Sequence, residues 1–217
     1  MPIDVYDYRV DVRNVVVRPE IRARFLRLEP GEIASRHSHD LGQEVFLVLE
    51  GQCEFEIEGE RAVLGPGQMC FARVDQLHHV RTVGDQPMTM YLSVTPHLEP
   101  THTWWDEQGN KLPPRYGVAA AQERAASAEP TALVAQLVVQ HLAAARALAE
   151  AAASNARTQE AAAAALQEAI TAGDAVAAKL SVDSMWGGIH ETFLRVQAFA
   201  VAWNTLAPAA TAPTQNS

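Results

Sequence analysis

Three histidines and one glutamate carry the chemistry this sequence offers. Gly31 is followed by five residues and then His37-Ser38-His39, with Glu44 and Gly51 beyond; downstream, Gly65-Pro66-Gly67 leads into His78-His79. Successive residues of a strand point to opposite faces, so His37 and His39 share a face and Ser38 takes the other. Two imidazoles on one strand chelate one ion if a neighbouring strand adds further ligands. Imidazole nitrogens with one carboxylate oxygen suit divalent Fe, Mn, Ni, Cu, Co or Zn and match Ca or Mg poorly. Four protein ligands on an octahedral ion leave positions open for water, dioxygen or a chelating substrate. His78 is favoured over His79 as the last ligand by its distance from Gly67, and on a regular strand His79 and Arg81 face away.

The elements that must position these residues read as strands. Asn14-Val15-Val16-Val17 and Ile21 to Leu28 precede Gly31. Asp40-Leu41-Gly42-Gln43 has turn composition, and Glu44 opens the apolar run Val45 to Leu49. A carboxylate there is costly to bury without a cation or a donor. Gln52 to Glu58 alternates, with Cys53, Phe55 and Ile57 inward and Glu54, Glu56 and Glu58 on a solvated face. Glu58 to Arg61 makes a hairpin turn into Ala62-Val63-Leu64, and Met69 to Ala72 and Met88 to Thr95 complete the strands. The segment from His97 to Asn110 reads as irregular.

These residues resemble the cupin superfamily, small antiparallel β-barrels of jelly-roll type. The first cupin motif, Gly-(X)5-His-X-His-(X)3–4-Glu-(X)6-Gly, is matched by Gly31, His37, His39, Glu44 and Gly51. The second is matched at Gly67 and His78, with Gln68 where aspartate is frequent, Arg73 near a usual proline, and no asparagine after the histidine. The resemblance covers roughly residues 10 to 100. It implies a jelly-roll barrel with His37, His39, Glu44 and His78 as metal ligands, and it implies no single reaction, since such barrels serve dioxygenases, isomerases, epimerases, decarboxylases, lyases, sensors and storage proteins.

From Val118 the composition turns to alanine. Helices are expected at about 118 to 128, 131 to 153, 155 to 172 and 183 to 205, with breaks at Pro130 and Gly173. The division expected is a barrel over 1–115, an alanine-rich helical bundle over 116–206 and a disordered tail over 207–217. The basic residues after 117 (Arg124, Arg146, Arg157, Lys179, Arg195) are scattered, and the formal charge is -9, which argues against nucleic acid and anionic membrane. No leader pattern or spanning stretch is visible, and Cys53 and Cys70 read as reduced buried thiols, so a cytoplasmic protein is expected.

Among the other candidates, His97 and His102 could line the barrel mouth, with His102 and Glu44 as candidate proton carriers. Trp104 and Trp105 suit a buried loop or an interface. Arg22 and Arg24 share a strand face that could reach the cavity and hold an acidic substrate; Arg36 points outside. His141 and His190 fit a helical packing seam. The expected function is a mononuclear three-His, one-Glu metal site acting on a small organic molecule, with dioxygenase chemistry first and isomerase or lyase chemistry next. The alternative is a non-catalytic metal or metabolite sensor whose helices mediate dimerisation or partner contact. A homodimer is expected, because such barrels pair to cover an edge.

Overall fold

The period-two alternation around Phe55 is realised in the computed structural model, which describes residues 3–117 and 131–211. Cys53 and Phe55 are buried, while Ile57 is half-buried. The chain divides into two compact units, Met1–Ser127 and Ala128–Ser217.

The first unit is a sandwich of two antiparallel five-stranded sheets. One sheet orders its strands as β1 (Asn14–Arg18), β2 (Ile21–Leu28), β9 (Met88–Thr95), β4 (Gln43–Glu50), β7 (Met69–Ala72). The other runs β10 (Thr103–Trp104), β3 (His37–Ser38), β8 (His78–Thr82), β5 (Cys53–Ile57), β6 (Glu60–Leu64). Between them lie Phe46, Val48, Cys53, Phe55, Leu64, Ala72, Val80, Met88, Met90 and Leu92, drawn from both inner faces. Both cysteines are free, and burial pushes their thiols up to about 11 at Cys53 and about 12 at Cys70.

Two turns show why the expected elements formed. Glu58 and Gly59 both take positive φ (52° and 84°), the left-handed pair that matches the twist of a two-residue hairpin between β5 and β6. Gly42 lies where the chain passes from one sheet to the other. A Cβ there would sit 2.6 Å from Val94 Cγ1 and 3.0 Å from the Pro96 carbonyl. The acidic face of β5 is not bare, because Glu54 pairs with Arg81 at 2.9 Å and Glu56 with Arg61 at 2.7 Å.

The segment expected to be irregular after His97 contains β10, whose Thr103 and Trp104 pair with Ser38 and His37 of β3. Two residues carry too little periodicity to announce a strand; the pairing comes from β3, whose edge would otherwise be open.

The second unit is a helical hairpin of α1 (Thr131–Ala172) and α2 (Ala175–Thr211). Gly173 at φ 69° ends α1, and the Asp174 side chain caps α2 by accepting from the Val176 and Ala177 amides at 3.0 Å. The break expected near Ser154 is absent. Its neighbour Asn155 accepts a hydrogen bond from Gln159 Nε2 at 2.8 Å, and a lone serine among alanines costs a helix little. α2 likewise begins before residue 183. The tail expected from 207 is helical as far as Thr211, since Ala207 is buried and Pro208 forfeits its amide bond in the final turns. Residues 212–217 and the helix expected at 118–128 lie outside the described residues. No described helix is long and apolar enough to cross a membrane.

Candidate metal centre

Four side chains from both sheets converge on one point. β3 supplies His37, the residue after it is His39, β8 opens with His78, and β4 contributes Glu44 at its second position. His37 and His78 are register partners across the β3–β8 pair, while Glu44, Val94 and Arg22 form one row across the opposite sheet. The ligand atoms of His37, His39, Glu44 and His78 all lie within 4.8 Å of one another. His78, not His79, completes the group.

Each imidazole is oriented by a backbone carbonyl. His37 Nδ1 donates to Ser35 at 2.7 Å, His78 Nδ1 to Gln76 at 2.8 Å, and His39 Nδ1 to Thr101. A carbonyl only accepts, so Nδ1 carries the hydrogen and Nε2 of a neutral ring offers a lone pair. All three Nε2 atoms face the same carboxylate oxygen. Glu44 Oε2 is 2.8 Å from His39, 3.1 Å from His78 and 3.7 Å from His37. His37 Nε2 is buried without a hydrogen-bond partner.

Acceptors packed against an acceptor repel unless a positive charge stands between them. Burial pulls the His37 pKa down, more than Glu44 raises it, which favours the neutral ring. Burial alone would raise the Glu44 carboxyl; the three histidines, when they carry a proton toward it, outweigh burial and hold it well below the usual carboxylate range, and with neutral rings that part falls to a cation. The charge balance therefore calls for a cation shared by the four ligands. The separations agree, since neighbouring ligands about 2.1 Å from one ion stand roughly 3 Å apart. The residues fit a transition metal.

Around the cluster is a cavity of about 340 Å³, lined among others by Arg22, Arg24, His102 and Trp104. Arg22 is 2% exposed, and its guanidinium lies 3.8 Å from Glu44 Oε1. The inward parity of β2 thus sends Arg22 and Arg24 into the cavity, whereas Tyr91 packs edge-on against Phe25 on the other face of its sheet. His102 is placed by β10 with its ring 4.7 Å from His37 and 5.2 Å from His39, and it stacks on Trp104 at 5.5 Å. Burial, then His37 and Arg22, pushes its pKa down to about 2.

Trp104 thus faces the cavity rather than a loop or an interface. Trp105 fits the expectation of a pinned loop, its Nε1 donating to Ser38 Oγ at 3.0 Å. His97 bonds Thr101 Oγ1 at 2.9 Å and is absent from the cavity lining. Arg36 points outward toward Glu56 at 3.9 Å. In the helical unit His141 packs on Phe199 and Trp203, and His190 on Trp186.

Comparison with known proteins agrees with this arrangement. Residues 24–95 match the cupin domain family model. Over 69 residues the chain is 33% identical to a protein named polyketide synthase CurC from Streptomyces cyaneus, a match that spans 32% of this chain and 45% of that one. The chain therefore spans less than half the length of that curated relative. Among solved structures, a protein with a double-stranded β-helix domain from Klebsiella pneumoniae is 21% identical, with 44% of this chain and 91% of that one covered at a TM-score of 0.42. The DMSP lyase DddQ from Ruegeria pomeroyi is 26% identical, with 42% and 46% covered at a TM-score of 0.38. Motif and family match converge on one part of the chain: residues 24–95, in the barrel that carries His37, His39, Glu44 and His78, are a cupin domain.

Proposed function

We propose that this barrel is a mononuclear metal enzyme acting on a small organic molecule, with His37, His39, Glu44 and His78 as ligands. The observation that carries the reading is the convergence of three Nε2 lone pairs on one buried carboxylate, each ring locked by a carbonyl on its other nitrogen. Dioxygenase chemistry is the first choice, with isomerase or lyase chemistry next. A bound metal would supply Lewis acidity or dioxygen activation at its open positions.

The chain's own residues supply the rest. The cavity's apolar wall (Leu26, Phe46, Phe55, Val80, Met90, Leu92) keeps water scarce beside the ligands. Arg22 stands 3.8 Å from Oε1 of Glu44, on the side away from the histidines. His102, neutral at physiological pH, has a buried Nδ1 without a hydrogen-bond partner and can exchange a hydrogen bond with substrate in the cavity.

Elemental analysis of untagged protein tests the reading. About one equivalent of Fe, Mn, Ni, Cu, Co or Zn is expected, lost in a His37→Ala, His39→Ala double variant. The metal found then selects the assay, oxygen uptake for iron, copper or nickel and isomerase or lyase screens for manganese or zinc. No metal after reconstitution with each ion would overturn the proposal.

A further inference from the structure

The cavity beside the ligands has a direction. Going along β2, the inward positions are Arg22, Arg24, Leu26 and Leu28. In the same sheet β4 presents Glu44 and then Phe46, while in the opposite sheet β8 presents His78 and then Val80, the latter level with Phe55. Both sheets therefore pass from charged to apolar in the same sense. A ligand that fills this space has a polar head at the metal end and an apolar body.

Charge decides the sign of that head. The ionised groups lining the cavity are Arg22, Arg24 and Glu44. Arg22 is answered by Glu44 at 3.8 Å and, more remotely, by Glu99. Among the described residues Arg24 forms no ion pair and feels Glu44 only at longer range, and Nε of both arginines is buried without a hydrogen-bond partner. Nε1 of Trp104, a donor only, is buried across the cavity on the facing sheet and equally unpartnered. Unanswered donors in a low-dielectric wall are costly, and a carboxylate answers them with paired, planar hydrogen bonds. A divalent ion at the ligands adds further positive charge.

We propose that the cavity takes a small carboxylic acid with an apolar aliphatic or aryl body, its carboxylate bound by Arg24 and an adjacent oxygen directed to the metal ligands. This deepens the metal-enzyme reading and rests on it for the second contact only. Arg24 is the specificity-determining residue, and the apolar wall from Leu26 to Met90 seats the body of the acid.

Titration calorimetry tests this on full-length protein, both metal-free and zinc-loaded. The probes are 2-oxo and 2-hydroxy acids with branched aliphatic or aryl side chains, each beside its primary amide. The acids are expected to bind at least about tenfold more tightly than the amides, and Arg24→Gln to remove most of that difference while Arg24→Lys keeps part of it. Circular dichroism and metal content of both variants should match those of the parent, which separates lost recognition from lost folding. Equal affinity for acid and amide, no binding of any acid at millimolar concentration, or an unchanged preference in Arg24→Gln would each overturn the proposal. A protein that takes up no metal yet still prefers acids through Arg24 would sink the metal reading and leave the carboxylate site standing.

Discussion

Because Ser35, Gln76 and Thr101 hold the Nδ1 atoms, the ligand rings cannot rotate or change tautomer without losing a carbonyl bond. Glu44 has two duties, since one oxygen faces the three Nε2 atoms while the other lies toward Arg22. Glu44→Gln should therefore lower metal affinity at least about a hundredfold. It should also cost the metal-free protein about 3 kcal/mol in urea denaturation, because Arg22 is left buried without its counter-charge. His97 gives a pH dependence of its own. Burial, then Arg22, lowers its pKa from 6.5 to about 4, so the folded state keeps it neutral where the unfolded chain would protonate it. Its contribution is complete above about pH 6.5 and is lost as pH falls toward 4, amounting to about 3 kcal/mol. A His97→Gln variant should flatten that part of the stability profile of metal-free protein. The pairing of His37 with His39 was legible from spacing because side-chain parity along one strand is local, whereas Glu44 and His78, on other strands, were joined to it through the resemblance to the cupin motifs. His102, Trp104 and Arg22 were not assignable, since their reach into the cavity depends on β10 pairing with β3 and on the register of β2 against β9.

At the level of elements, alternation and glycine-marked turns announced the main strands, whereas helix ends were misjudged. Ser154 and residue 183 stood at expected boundaries, yet both lie inside continuous helices, α2 starting at Ala175 on the Asp174 cap. The clearest contact between the two helices is Gly188, where a Cβ would stand 2.4 Å from Asn155 Oδ1 and 3.6 Å from its Cα. Asn155 is not free to swing away, because Gln159 bonds both its side chain and the Met185 carbonyl at 2.8 Å. Gly188→Val should thus destabilise the hairpin by about 2 kcal/mol. Gly188→Ala set beside Asn155→Ala should be non-additive in thermal denaturation, the alanine at 188 costing stability alone and adding it once the asparagine side chain is gone. Simple additivity would show that the helices approach elsewhere. In the barrel, Gly42→Val would force Val94 and Pro96 apart beside His39, and should weaken metal binding along with stability.

On the scale of the whole molecule, α2 leaves large apolar side chains uncovered, with Trp186 62% and Phe193 64% exposed. Exposed aromatics on a chain of formal charge -9 are the surface through which self-association is expected. Sedimentation velocity at micromolar concentration should show a species of twice 23.6 kDa, reduced to the single chain by Trp186→Ser with Phe193→Ser. A monomer in the parent protein would remove the expectation. The carbonyl locks on the ligand rings have a consequence that reaches beyond coordination. They belong to Ser35, Gln76 and Thr101, in three stretches of chain far apart in sequence, so an ion held by those rings fastens three separate loops at once. Withdrawing it should be visible as a correlated rise in amide deuterium uptake in the loops around those residues, with the central strands β4 and β9 unmoved. The centre would then be a clasp as well as a reagent, and the ease with which a chelator opens it would report how firmly the mouth of the barrel is shut.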